Sequence, residues 1–266
     1  MGAVVAAVAL LAAVLVQAPG HAGASRASSV TSVAKAGTTA VSSCSPSARH
    51  PEPVVLVPGT LVQTTWNVVG PALVKQGYCV YQFDYGNYGT AEIGKSAKQL
   101  ATFVDAVLAR THAKKVSIVG HSQGGMMPRY YIDFLGGAKK IDDLIGLAPS
   151  NHGTLNTTIA AVPNCTACVQ QLWGSAFLEK LNAHVETPPP VDYTVVQTVD
   201  DLTLVPYTSA FLHGPSARVT NVTIQNDCPY DFVTHLGLPS DPIALQWIEN
   251  ALGRTGPANP SFKPTC

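Results

Sequence analysis

The residues best suited to covalent chemistry are Gly120-His121-Ser122-Gln123-Gly124, a Gly-X-Ser-X-Gly pentapeptide. It follows the apolar run Val116 to Val119 and precedes a segment that reads as a helix, so Ser122 falls on a tight strand-to-helix turn. Such a turn pushes a hydroxyl out at the edge of a sheet, and the flanking glycines let neighbouring backbone pass without a Cβ clash. A serine hydroxyl is a poor nucleophile at neutral pH. It needs a base within hydrogen-bond reach and a carboxylate that orients the base.

Nucleophiles on this kind of turn are followed along the chain by an acid and then a histidine. The downstream histidines are His152, His184, His213 and His235. His235 stands after the last expected strand and before the final helix, at the carboxyl edge of the sheet, which makes it the candidate base. His184 lies in an irregular stretch and His213 follows a Pro/Thr/Ser segment, so both read as solvent or core residues. His152, in Ser150-Asn151-His152-Gly153-Thr154, and His121 are candidate substrate contacts. The acid is expected just beyond the strand Tyr193 to Gln197, where Asp200 and Asp201 are adjacent. Successive residues of an extended segment point to opposite sides, so only one of them can serve. Asp142 and Asp143 are expected ahead of their strand, at the wrong edge, whereas Asp227 or Asp231 could substitute if their loop folds back. Acyl transfer also needs two backbone N–H groups aimed at a developing oxyanion. The residue after the nucleophile, Gln123, and Thr60, after Pro58-Gly59, occupy the two positions that supply them.

The elements that must position these groups follow a strand-helix rhythm. Val54 to Val57, Cys79 to Phe83 and Val116 to Val119 are short apolar runs bounded by turns, as buried parallel strands are. Between the second and third, Ile93, Ala97, Leu100, Val104 and Leu108 recur at helical spacing. Further strands are expected at Leu144 to Leu147, Tyr193 to Gln197 and Val219 to Ile224. The last helix has Asp241 as N-cap, Pro242 at its first position and Gly253 after its end. The expected fold is therefore α/β, a mostly parallel central sheet with helices on both faces and ligands beyond the carboxyl ends of the strands. Residues 150–190 break the rhythm and are expected to form a small cap or lid excursion over those ends.

The chain has 266 residues, 46% of them hydrophobic and 12% charged, with 16 basic against 16 acidic side chains. This composition excludes a disordered or coiled-coil protein. Zero net charge without a Lys/Arg cluster removes the electrostatic footprint of nucleic-acid binding. Ala3 to Val16 is an unbroken apolar run followed by Pro19-Gly20 and the small residues Ala22-Gly23-Ala24, as in a secretory signal peptide. The run is shorter than the roughly 20 residues of a membrane span, so export without a stable membrane anchor is expected. The expected organisation is a signal peptide over 1–24, a low-complexity flexible leader over 25–47 and a catalytic domain over 48–266. Six cysteines in an exported chain favour disulfides, and the preferred pairs are Cys44 with Cys79, Cys165 with Cys168, and Cys228 with Cys266. A lone Cys-X-X-Cys spacing is a weak metal signal, and no metal or cofactor is expected.

Taken together, Val54-Val55-Leu56-Val57-Pro58-Gly59-Thr60, Gly120 to Gly125, Pro149-Ser150-Asn151-His152-Gly153-Thr154, Asp201 with Pro206-Tyr207-Thr208-Ser209, and His235-Leu236-Gly237-Leu238 resemble the bacterial class 2 lipase group of the α/β-hydrolase superfamily. These are triacylglycerol lipases and esterases known from actinomycetes, and the resemblance runs from about Val54 to Leu252. It implies a Ser122, Asp201, His235 triad, because the family's aspartate precedes the proline by five residues. Many relatives have His-Gly where this chain has Pro58-Gly59. The implied reaction is ester hydrolysis through an acyl-enzyme by a secreted monomer, with a lipid or ester substrate met at a lipid-water interface. Leu155, Ile159, Val162, Leu172, Trp173, Phe177 and Leu178 would suit an acyl-chain pocket. A short-chain carboxylesterase, a cutinase-like polyesterase, an acyltransferase and a serine peptidase share the same constellation. A non-enzymatic alternative is a catalytically inactive hydrolase-fold binding protein.

Overall fold

The computed structural model describes residues 44–62 and 66–266. The expectations for a signal peptide and for most of the leader lie outside the described residues. Among the described residues six strands form one parallel sheet in the order β2-β1-β3-β4-β5-β6. They are β1 (Val54–Val57), β2 (Val80–Gln82), β3 (Val116–His121), β4 (Ile141–Leu147), β5 (Asp192–Gln197) and β6 (Val219–Thr223). Every residue of β1 and β3 is buried, which is why these strands read as continuous apolar runs rather than alternating ones.

The helices are α1 (Val69–Lys75), α2 (Gly86–Gly89), α3 (Ile93–Thr111), α4 (Gln123–Phe134), α5 (Thr166–Gln170), α6 (Ala176–Asn182) and α7 (Pro242–Leu252). The chain steps outward from β1 to β2 and then crosses back to β3, so right-handed crossovers put α1 on one face and α3 with α4 on the other. Accordingly α3 packs on α4, while Tyr78, just after α1, donates its hydroxyl to the carbonyl of Leu252 in α7. α3 buries Ile93, Ala97, Leu100 and Val104 as its spacing requires, with Leu108 only half-buried and Val107 taking the inward position beside it. α7 starts where its signals place it: the Asp241 carboxylate accepts the amides of Ile243 and Ala244 at 2.9 and 2.7 Å.

Reversal of direction after β2 creates a switch point between β1 and β3, where ligands of such sheets bind. Val57 pairs with Gly120, so the loops leaving these two strands emerge side by side. β4 begins three residues earlier than its apolar run, at Ile141, and so contains Asp142 and Asp143. They still stand at the amino edge, opposite the loops that carry Thr60 and Ser122.

The three disulfides join Cys44 to Cys79, Cys165 to Cys168 and Cys228 to Cys266. Two of them anchor chain segments to the core, at the start of β2 and at the C-terminus. The third closes the first turn of α5. Among the described residues no helix is long and apolar enough to cross a membrane.

Candidate active site

Ser122 is the single residue between β3 and α4, at φ 55° and ψ −123°. A positive φ in a residue with a Cβ costs on the order of 1–3 kcal/mol and persists only where the surroundings enforce it. Here the Ser122 amide donates to the Leu147 carbonyl at 2.9 Å, and its own carbonyl accepts the Gly125 amide at 3.0 Å. The pentapeptide glycines are sterically required. A Cβ on Gly120 would collide with the backbone of Gly124, and one on Gly124 with the carbonyl of Val57. Close approach of α4 to both strands therefore fixes the turn, and the turn presents Ser122 to a cavity beyond the strand ends.

His235 lines the same cavity. Its Nδ1 lies 2.7 Å from Oδ2 of Asp201, so the carboxylate holds the Nδ1–H tautomer and leaves Nε2 as the ring's proton acceptor. Both side chains are shielded, 5% exposed for His235 and 0% for Asp201. Asp201 is itself held by four donors: Oδ1 accepts the amides of Thr203 and Leu204 at 2.9 and 2.8 Å, and Oδ2 accepts Gln197 Nε2 at 3.1 Å as well as the imidazole. The other candidate acids have different partners. Asp200 donates its backbone amide to the Thr198 hydroxyl, Asp227 pairs with Lys263, and Asp231 accepts the amide of Val233.

Gln123 is the first residue of α4, where backbone amides have no partner within the helix and the helix dipole favours negative charge. Thr60 approaches it from the β1 loop, its hydroxyl donating to the Gln123 side-chain carbonyl. Gln171, at the end of α5, donates Nε2 to Thr60 Oγ1 at 3.0 Å and to Gln123 Oε1 at 3.2 Å, and accepts the Ser150 hydroxyl at 2.9 Å. Gln171 carried no sequence signal, because a buried glutamine in a motif-free excursion is recognisable only from its partners. Tyr85 is a second such residue: fully buried, it ties the β1 loop in place by donating its hydroxyl to the Pro58 carbonyl at 2.8 Å.

The sequence pattern described as Lipase (class 2) matches residues 51–248, well over half of the chain. The chain belongs to the class 2 lipase family. Among solved structures it is similar to lipase B from Aspergillus fumigatus, at 22% identity and a TM-score of 0.69, over 82% of this chain and 57% of that one. The Bacillus licheniformis lipase BlEst2 in mature form matches at 13% identity and a TM-score of 0.58, over 78% of this chain and 94% of that one. At these identities the likeness shows the fold, that of an α/β-hydrolase. The chain spans little more than half the length of the fungal lipase.

In this member of the class 2 lipase family the excursion forms part of the cavity wall through Ile159, Val162, Cys168 and Gln171, together with Leu204 and Leu236. The cavity is open to solvent and has a volume of about 140 Å³. Leu155 and Trp173, expected as substrate contacts, lie outside this lining and are 60% and 51% exposed. Leu178 packs in the core, and Phe177 stacks on Tyr130. His152 is also outside the lining and turns to Ser209 and Glu186 instead. His121 does line the cavity, but its Nε2 is engaged by the backbone carbonyl of His235.

Proposed function

We propose that this lipase is a secreted serine ester hydrolase acting on triacylglycerols, with Ser122 as nucleophile, His235 as base and Asp201 as its orienting acid. The observation that carries the reading is the 2.7 Å contact between Asp201 and His235 beside a strained Ser122 in one cavity. Ser122 Oγ bonds to the ester carbonyl carbon while its proton passes to His235 Nε2, and the carbonyl π pair moves onto oxygen. The backbone N–H groups of Thr60 and Gln123 stabilise that oxyanion. Collapse breaks the bond to the alkoxy oxygen, which leaves as alcohol with the proton from His235. Water then repeats the sequence on the acyl-enzyme, releasing the carboxylic acid and returning the proton to Ser122. Asp201 keeps the imidazole in the right tautomer throughout and is not itself protonated. Export is supported by the three disulfides, since such bonds persist in oxidising compartments.

A second reading, a short-chain carboxylesterase, draws support from the cavity, whose volume of about 140 Å³ is below the roughly 300 Å³ at which small-molecule sites begin. One experiment separates the two: hydrolysis of p-nitrophenyl esters from butyrate to palmitate, with emulsified triglyceride alongside, by the native chain and by Ser122→Ala. Turnover of long chains and triglyceride, lost by on the order of 10⁴-fold or more in the variant, supports the lipase. A short-chain limit moves the assignment to the esterase, and turnover that survives Ser122→Ala refutes both.

A further inference from the structure

We propose that His152, Glu186 and His213 form a divalent-metal site of the zinc type, which clips the two ends of the excursion to the body of the sheet. No metal was expected from the sequence, and the site is separate from the cavity that holds Ser122. Nor does the proposal depend on the ester-hydrolase reading.

The argument begins with hydrogen-bond polarity. His152 Nδ1 lies 3.0 Å from the carbonyl oxygen of Ser209, and a carbonyl can only accept, so Nδ1 carries the hydrogen. Its Nε2 then presents a lone pair to Glu186 Oε1 at 3.1 Å. Two acceptors facing each other at that distance require a cation between them, either a second proton on the ring or a metal ion. His213 directs its Nδ1 at the same Oε1, again at 3.1 Å, and all three ligand atoms lie within 4.8 Å of one another. Zinc with bonds of about 2.0 Å has tetrahedral edges of about 3.3 Å, so both nitrogen-oxygen separations are near the spacing one ion would impose.

The surroundings have the form expected around such ligands. A metal-binding histidine commonly donates its other N–H to a backbone carbonyl, as His152 does to Ser209. The ligating carboxylate is likewise fixed, because Glu186 Oε2 accepts the His213 backbone amide at 2.9 Å. Two imidazoles and one carboxylate suit zinc and disfavour calcium, which takes six to eight oxygens. The His213 side chain is 83% exposed, so water has access to complete the coordination. In the fold His152 opens the excursion after β4, Glu186 closes it before β5, and His213 precedes β6. One ion would therefore join three segments far apart in sequence.

The test uses the full native chain, freed of metal with a chelator that is then removed, and titrated with zinc chloride by calorimetry and by thermal unfolding. The expected result is one zinc per chain and a Tm raised by roughly 5–10 °C at zinc 100-fold above Kd, with no rise from calcium. His213→Ala, a change on the surface, should leave the metal-free Tm near native while weakening zinc binding at least tenfold and removing the rise. Glu186→Gln should behave likewise toward zinc. Absence of zinc binding, or binding equally tight in His213→Ala, would overturn the proposal and leave the three side chains as a hydrogen-bonded cluster.

Discussion

His121 donates its Nε2–H to the backbone carbonyl of His235 at 2.9 Å, so the residue before the candidate nucleophile braces the candidate base. The two rings lie 4.8 Å apart between centroids. Burial, and then the neighbouring His235, push His121 down to about 3, although its bond to the His235 carbonyl opposes the shift. The ring therefore stays neutral and remains a fixed one-proton donor.

A pH dependence of stability follows. In the folded chain His121 refuses a proton down to about pH 3, whereas in the unfolded chain it accepts one near its ordinary value of 6.5. Between those values the unfolded state binds more protons, so this contribution is complete above pH 6.5 and is lost as pH falls toward 3. His121→Gln should flatten the fall in unfolding free energy between pH 6.5 and 4, measured by urea titration. It should also lower kcat on the order of 10- to 100-fold by loosening His235. A slope identical to that of the native chain would refute the assignment.

Gln171 links the excursion to both proposed oxyanion donors. Removing its side chain in Gln171→Ala leaves the Thr60 hydroxyl and the Gln123 carbonyl without that donor and frees the β1 loop to shift. The expected outcome is a kcat lowered about tenfold on a soluble ester, with KM changed less than twofold, since the loss falls on the transition state. An unchanged kcat would show that the two loops hold each other without the excursion.

At the opposite edge of the sheet Asp143 pairs in register with Asp192. Burial first, and then Asp142 and Asp192, hold the Asp143 carboxyl well above the usual carboxylate range. A raised acid stabilises the fold below its unfolded value and loses that contribution as pH rises, so at neutral pH the carboxylate is a liability. Asp143→Asn keeps the shape and removes the charge, and should raise stability at pH 7 by about 1 kcal/mol in chemical denaturation. The gain should shrink toward pH 4. A loss of stability at pH 7 would mean that the ionised group is held by the Ser117 hydroxyl, which lies 3.4 Å from its Oδ2, more strongly than burial opposes it.

The disulfides should differ in weight according to the loops they close. Cys228 and Cys266 are 38 residues apart and Cys165 and Cys168 only 3. Chain entropy alone assigns roughly 4 kcal/mol to the longer loop and roughly 2 kcal/mol to the shorter one. Paired serine variants compared by thermal unfolding should therefore rank in that order. The reverse order would show that closing the first turn of α5 matters more than loop entropy.

The readable part of this protein was local. The strand runs, the helical stripe of α3 and the caps of α7 announce themselves because backbone geometry and one-sided burial act on neighbouring residues. The turn at Ser122 was legible for the same reason: strand, glycine, serine, glycine and helix are contiguous. The start of β4 was not, because Asp142 and Asp143 interrupt the apolar pattern, although Ile141 still pairs with Val116 of β3 and Asp143 with Asp192 of β5, across a register shift against β3. Cross-strand hydrogen bonding does not depend on side-chain polarity.

Asp200 and Asp201 show the limit most clearly. Adjacent acids look alike in a sequence, and alternation says only that one of them serves. In the fold Gln197, Thr203, Leu204 and His235 close around the carboxylate of Asp201, the contacts on which the proposed assignment rests. Similarly, Gln171 meets Thr60 across 111 residues, and Glu186 meets His152 and His213 from a separate stretch. The sequence by itself determined which elements form and where the strand-to-helix turn at Ser122 falls, because those depend on short-range sterics and periodicity. Only the tertiary structure decided which polar side chains share a partner, because hydrogen-bond satisfaction depends on distances that chain order does not encode.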